Sequence, residues 1–202
     1  MMRAMEVLKE IIALKREYPD KVVLLLGNHD LPYILPHLFT SGRHDSFYED
    51  DAHRLFTENL SLFCLLHSTA IGGRKYIFSH AGVHPDWAKR KLGTTDFCEI
   101  EQYYAKPFLR IDPKHLAALN SCSFYRGGAE DYGSFVWADV EEFTVFLPED
   151  TVTEPRSECY QIFGHTQQKE RSIITDDYAC LDCRQVFTLN KDGRLSILDR
   201  LD

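Results

Sequence analysis

"KVVLLLGNHDLPYI", Lys21 to Ile34, decides the fold class. Val22 to Leu26 is an unbroken run of valine and leucine that ends in Gly27-Asn28-His29-Asp30. A short apolar run without alternation suits a strand buried on both faces. Leu31 to Phe39 then reads as a short helix with Pro32 in its first turn, where a missing N–H costs nothing. Before the run, residues 2 to 18 set Met5, Leu8 and Ile12 at helical spacing, with Val7, Ile11 and Leu14 beside them. Tyr18-Pro19-Asp20 stops that helix. Helix, strand, polar turn and helix together predict an α/β layered domain, a β-sandwich with flanking helices. No strand precedes the first helix, so the sheet is expected to be incomplete at its N-terminal edge, with Val22 to Leu26 uncovered there. An uncovered edge invites self-association.

The same design recurs twice, in "YIFSHAG" (Tyr76 to Gly82) and "QIFGHTQ" (Gln161 to Gln167). In α/β sheets, ligands bind outside the C-terminal ends of strands, so three histidine-bearing strand ends are expected to converge. Glycine beside each histidine allows a sharp turn and leaves room for a metal or phosphate. Imidazoles with the neutral amide oxygen of Asn28 suit a borderline divalent cation such as zinc, manganese or iron. Any one of these segments reads as an ordinary turn by itself; the combination is what points to a metal site.

The rest of the chain supplies a frame. Asp50 to Leu66 has helical periodicity through Leu55, Leu60, Phe63 and Cys64. "STAIGG" and "RKYIFSHAGVHP" predict two strands joined by a Gly72-Gly73 hairpin. Residues 84–119 predict a mostly helical, rather polar, cap-like insertion within a single domain spanning 1–202. Residues 41–48, 120–134 and 147–157 read as loops. "FVWADV", 135–140, predicts a short strand, and "YACLDCRQVFTLNKDGRLSIL" two or three strands with a turn at Lys191-Asp192-Gly193. Tyr103, Tyr104, Phe108, Phe124 and Tyr125 read as core packing in preference to a lining of the site. His37, His44, His67, His84 and His115 have no companion turn and read as surface or loop residues.

Composition narrows the partners. The 202 residues are 44% hydrophobic, enough for one sizeable core. The net charge of -8 argues against binding nucleic acid or an anionic membrane. A phosphorylated substrate stays open, because a metal can supply local positive charge. No run of 18 apolar residues exists, and Glu6, Lys9 and Glu10 interrupt any signal-peptide core. Six scattered cysteines predict reduced thiols and a cytoplasmic location. Cys180 and Cys183 form a single CxxC, too little for structural zinc and without the helix N-terminus that redox chemistry uses.

The three turns together resemble the calcineurin-like metallophosphoesterases, most closely the bacterial branch of the serine/threonine phosphoprotein phosphatases. The carriers are Gly27-Asn28-His29-Asp30, His80-Ala81-Gly82 and Gly164-His165-Thr166, with Trp137-Ala138-Asp139 and Leu181-Asp182-Cys183 as weaker landmarks. The resemblance implies a two-metal phosphatase in which Asn28, His80 and His165 hold the second metal. His29, with Asp30 beside it in the same turn, is the catalytic candidate, His29 as general acid to the leaving oxygen. A metal-activated hydroxide attacks the phosphoester, phosphoserine or phosphothreonine in a protein being one substrate class. Arg126 and then Arg156 are the substrate-binding candidates, since a guanidinium fork matches phosphate. A solvated loop arginine is the alternative for Arg126. A nucleotide or dinucleoside polyphosphate hydrolase shares these motifs.

The family's GDxHG and GDxxDRG turns have no counterpart, because Gly-Asp occurs nowhere in the chain. Asp51-Ala52-His53 lies in a helical stretch and is a coincidence. Three accounts compete: a chain begun at an internal methionine, a shortened protein with a degenerate site, or a partner chain that supplies the missing half. The first is the expectation. At most one cation is then expected, with little phosphatase activity, and a non-catalytic pseudo-phosphatase or single-metal scaffold is the competing reading.

Overall fold

The computed structural model describes residues 2–39, 48–143, 159–169 and 172–198. Helix α1 (Met2–Glu17) leads through a turn into strand β1 (Leu24–Leu25). Helix α2 (Leu31–Ile34) begins with Pro32 in its first turn, as predicted, but stops well short of the expected Phe39. Helix α3 (Glu49–Glu58) and a 3₁₀ turn (Leu60–Leu62) follow, then β2 (Phe63–Cys64), β3 (Leu66–Ile71) and β4 (Arg74–Ser79). Helices α4 (Pro85–Leu92), α5 (Phe97–Tyr104) and α6 (Pro113–Ala118) occupy the middle of the chain. Strands β5 (Cys159–Phe163), β6 (Ile173–Ile174), β7 (Tyr178–Cys180), β8 (Phe187–Leu189) and β9 (Leu195–Ile197) complete it.

The fold is α/β, with a mixed sheet in the order β3-β4-β5-β7-β6 and two-stranded sheets β1-β2 and β8-β9. Strands β4, β5 and β7 run parallel to one another, while β3 and β6 are antiparallel edges. The hairpin β3-β4 turns on Gly72 (φ 59°) and Gly73 (φ 82°), the left-handed pair that a tight two-residue connection needs. Alternation along β4 sends Ile77 into the main core and Tyr76 into a second cluster with Tyr160, Ile162 and Ala179, so both faces of this sheet are covered.

The main core joins Ile12 of α1, Leu24, Leu31 of α2, Phe56 of α3, Ile77, Trp87 of α4, Ile100 of α5 and Leu116 of α6. The 84–119 segment is helical, as predicted, and its apolar faces pack into that same core. Side-chain caps start its helices: His84 accepts from the N–H of Asp86, Asp96 from Cys98 and Asp112 from Lys114. No helix among the described residues is long and apolar enough to cross a membrane.

Several expectations need correction. The strand predicted over 21–26 contracts to Leu24–Leu25, paired only with β2 among the described residues, and Val23 is 43% exposed. The run is therefore not buried on both faces. The helix expected over 50–66 ends at Asn59, whose side-chain N–H donates to Leu55 O, and Phe63–Cys64 becomes β2. "FVWADV" is not a strand: the carbonyl of Ser134 accepts from both Trp137 and Ala138 at 2.7 Å, which winds the segment into a turn before a 3₁₀ helix over Val140–Phe143. His84 is 5% exposed and stacks on Tyr132, so it is a buried capping residue, not a surface one. Tyr104 and Phe108 are core residues, whereas Phe124 is exposed.

Candidate metal centre

Each of the three turns is built locally, then joined to the others across the sheet. In the first, Asp30 Oδ2 accepts the N–H of Gly27 at 2.7 Å and closes the loop. Burial pushes the Asp30 carboxyl up, and the bond from Gly27 opposes that. The Asp30 carboxylate thus faces its own turn's backbone. A Cβ on Gly27 would stand 2.7 Å from Cε1 of His80, so the glycine makes room for that ring and not for a metal.

The second turn leaves β4. Ser79 Oγ accepts the N–H of Gly82 at 3.1 Å, and Ala81 N–H donates to Phe135 O at 2.8 Å. Gly82 needs its freedom, because φ is 82° and a Cβ would meet the Phe163 ring at 2.8 Å. Gln161 then holds the following backbone by bonding both the N–H and the C=O of Val83.

The third turn leaves β5, which lies parallel to β4, so their ends sit side by side and Gly164 N–H donates to His80 O at 2.9 Å. Gly164 has ordinary φ and no close neighbour. The left-handed backbone falls on His165 itself, at φ 67°. That conformation costs a non-glycine residue roughly 1–2 kcal/mol and recurs at functional sites.

These turns bring three of the predicted side chains together. His80 Nε2 lies 2.9 Å from Asn28 Oδ1 and 3.0 Å from His165 Nδ1. Asn28 is 2% exposed. Burial drives the His80 pKa down to about 4, with the positive charges of His29 and Arg126 adding to the effect. Burial lowers His165 as well, followed by His80, Arg126 and His29. Both rings are therefore neutral at pH 7. With both rings neutral and Asn28 Oδ1 facing His80 Nε2, a single proton must serve both contacts: on His80 Nε2 it is shared between two acceptors, and on His165 Nδ1 it leaves His80 Nε2 and Asn28 Oδ1 lone pair to lone pair. His165 Nε2 is also buried with no hydrogen-bond partner among the described residues. A cation between the three donors takes the place of the proton they lack. Separations near 3 Å are roughly those of neighbouring ligands on a cation with bonds of ~2.0–2.1 Å.

Among the described residues, no third His, Cys, Asp or Glu joins the two histidines to make a metal-ligating group. The donor set is neutral, and it fits one divalent cation. His29 is exposed at the rim. Arg126 is neither solvated nor free for a substrate along its whole edge. Its Nε lies 2.7 Å from Asp139 Oδ2, and Nη2 donates to His165 O at 3.1 Å and Thr166 Oγ1 at 2.7 Å. Nη1 makes no hydrogen bond among the described residues. Arg156 lies outside them. Cys180 is buried beneath the third turn, its Sγ 3.5 Å from Gly164 O, and burial raises its pKa.

The family model for calcineurin-like phosphoesterases matches residues 4–168. The chain belongs to that family. All three turns of this calcineurin-like phosphoesterase lie within the matched span. No curated protein and no solved structure matches the chain. The family is one of divalent-metal-dependent hydrolases, and the neutral nitrogen and oxygen donors at the three turns are of the type such metals take.

Sequence reasoning missed two residues of the site's support. Asp139 stood only as a family landmark, and Glu142 not at all. Glu142 is 2% exposed, and its carboxylate accepts from Ser123 Oγ, Asp139 N–H and Gly133 N–H at 2.5, 2.7 and 2.8 Å. No local pattern marks a carboxylate whose partners come from three loop positions.

Proposed function

We propose that this chain binds one divalent cation at Asn28, His80 and His165 and hydrolyses phosphomonoesters there, slowly. The shortage of protons among the three facing donor atoms, Asn28 Oδ1, His80 Nε2 and His165 Nδ1, is the observation that carries the reading. A bound cation supplies Lewis acidity and positive charge toward a phosphoryl group. The three neutral donors leave that charge uncompensated, which favours a dianionic substrate. His29, exposed beside the cluster, donates a proton to the leaving oxygen. Arg126 offers Nη1 to a phosphoryl oxygen while its other nitrogens stay engaged. Asp30 keeps the first turn closed so that Asn28 and His29 project in their separate directions.

Turnover is expected to be slow because, among the described residues, no carboxylate joins the cluster to bridge to a second cation, and the paired clamp on attacking and leaving oxygens is then missing. The test is metal content by mass spectrometry together with hydrolysis of p-nitrophenyl phosphate after metal reconstitution. One cation per chain with weak, chelator-sensitive hydrolysis is expected, and His165→Ala should lose both. Two cations with rapid turnover, or hydrolysis that survives chelation, would overturn the reading. Binding without turnover would favour a cation-binding scaffold, the second reading that the carboxylate-free donor set supports.

A further inference from the structure

The backbone of His165 is held in an unfavourable conformation, and something must hold it. Its carbonyl oxygen receives Arg126 Nη2 at 3.1 Å, and the next side chain, Thr166 Oγ1, receives the same nitrogen at 2.7 Å. Thr166 Oγ1 also accepts Val140 N–H at 3.0 Å, which ties the turn to the segment that follows Asp139. Arg126 in turn is ion-paired with Asp139, whose Oδ2 lies 2.7 Å from its Nε. Asp139 is fixed at its own N–H by Glu142, and its Oδ1 accepts Glu141 N–H. Glu142 is anchored by Ser123 and Gly133 on the loop that carries Arg126. The chain of bonds closes on itself: loop 123–133, the 139–142 segment and the 164–166 turn are mutually braced.

We propose that Glu142, Asp139 and Arg126 are the positioning residues of His165, and that this brace sets the cation affinity of the site. It rests on the one-cation reading only for the affinity arm of its test. The guanidinium fork is what the geometry uses, since one planar group meets a carboxylate, a carbonyl and a hydroxyl at once. A lysine ammonium keeps the charge and the pairing with Asp139 but cannot span all three. Without the brace, His165 relaxes out of the left-handed region and its ring leaves His80. Outer partners that orient a ligand typically change metal affinity 10–100-fold.

The experiment compares wild type with Arg126→Lys and Asp139→Asn. Amide hydrogen exchange is followed residue by residue in the metal-free chain, and zinc affinity by calorimetry. In both variants the amides of 164–166 should exchange at least ~10-fold faster while β4 and β5 keep their protection, and zinc affinity should fall about 10–100-fold. A merely structural role would speed exchange uniformly along the chain. Uniform acceleration, or wild-type exchange at 164–166 with wild-type affinity, overturns the proposal. If the wild-type chain binds no zinc, the one-cation reading falls and the exchange pattern still decides the brace. If Arg126→Lys fails to fold, Asp139→Asn carries the same comparison.

Discussion

His80 and His165 leave the ends of β4 and β5, which pair in parallel from Lys75↔Cys159 to Phe78↔Ile162. Each of those strands has a second partner, β3 for one and β7 for the other. Asn28 leaves β1, which is two residues long and has β2 on one side only among the described residues. All three arms carry the same written design, an apolar run closed by a glycine-containing polar turn. They differ in support. The histidine arms rest on a sheet buried on both faces, while the asparagine arm is held by its own Asp30–Gly27 bond and by the His80 ring packed on Gly27. Strength in the site is therefore borrowed: the weaker arm leans on a side chain of the stronger one.

The largest effect should come from the sheet. Ile77 is fully buried at the centre of β4, and Ile77→Ala should destabilise the chain by about 2–5 kcal/mol in urea unfolding. Val23→Ala, at the exposed position just before β1, should stay within about 0.5 kcal/mol. Equal costs would break the comparison between the arms.

Next is the contact between them. Gly27→Ala drives a methyl into the His80 ring, and overpacking of that kind costs roughly 1–3 kcal/mol. Cation binding should be lost with it. Gly164→Ala, whose new Cβ would find its nearest atom at 3.5 Å, should change stability little and keep the cation. If both alanines behave alike, Gly27 does not serve the seating of His80.

The smallest effect is a pH slope. Burial lowers the His84 pKa, against the opposing bond to Glu142 O and the charges of Asp86 and Glu142; the positive charge of Arg90 acts with burial. A histidine neutral when folded binds fewer protons than when unfolded, so its contribution is present above the unfolded value and is lost as pH falls through the folded one. Urea midpoints of wild type should drop as pH falls below about 6.5, and His84→Gln should flatten part of that slope. An unchanged slope would remove His84 from the account.

Much of this was legible because it is local. An apolar run followed by Gly-Asn-His-Asp, or by Ser-His-Ala-Gly, announces a strand end and its turn without reference to anything distant. The α/β class and the Gly72-Gly73 hairpin follow from such patterns. What was not legible depends on partners far along the chain. The length of β1 is set by how far β2 accompanies it. Residues 135–140 have strand-like composition, yet Ser134 captures the N–H groups of Val136, Trp137 and Ala138. Arg126 read equally as a phosphate ligand or a solvated residue, and neither anticipates its pairing with Asp139. The left-handed backbone of His165 sits one residue after the glycine that composition would choose for it.

The central claim is that Asn28, His80 and His165 form one cation site. Calorimetric titration of the metal-free chain with zinc at neutral pH tests it most directly. The account predicts one cation per wild-type chain and none for His80→Ala, with the variant shown to be folded by its unfolding transition. Saturable binding that persists unchanged in folded His80→Ala, or no binding by the wild-type chain, would contradict it.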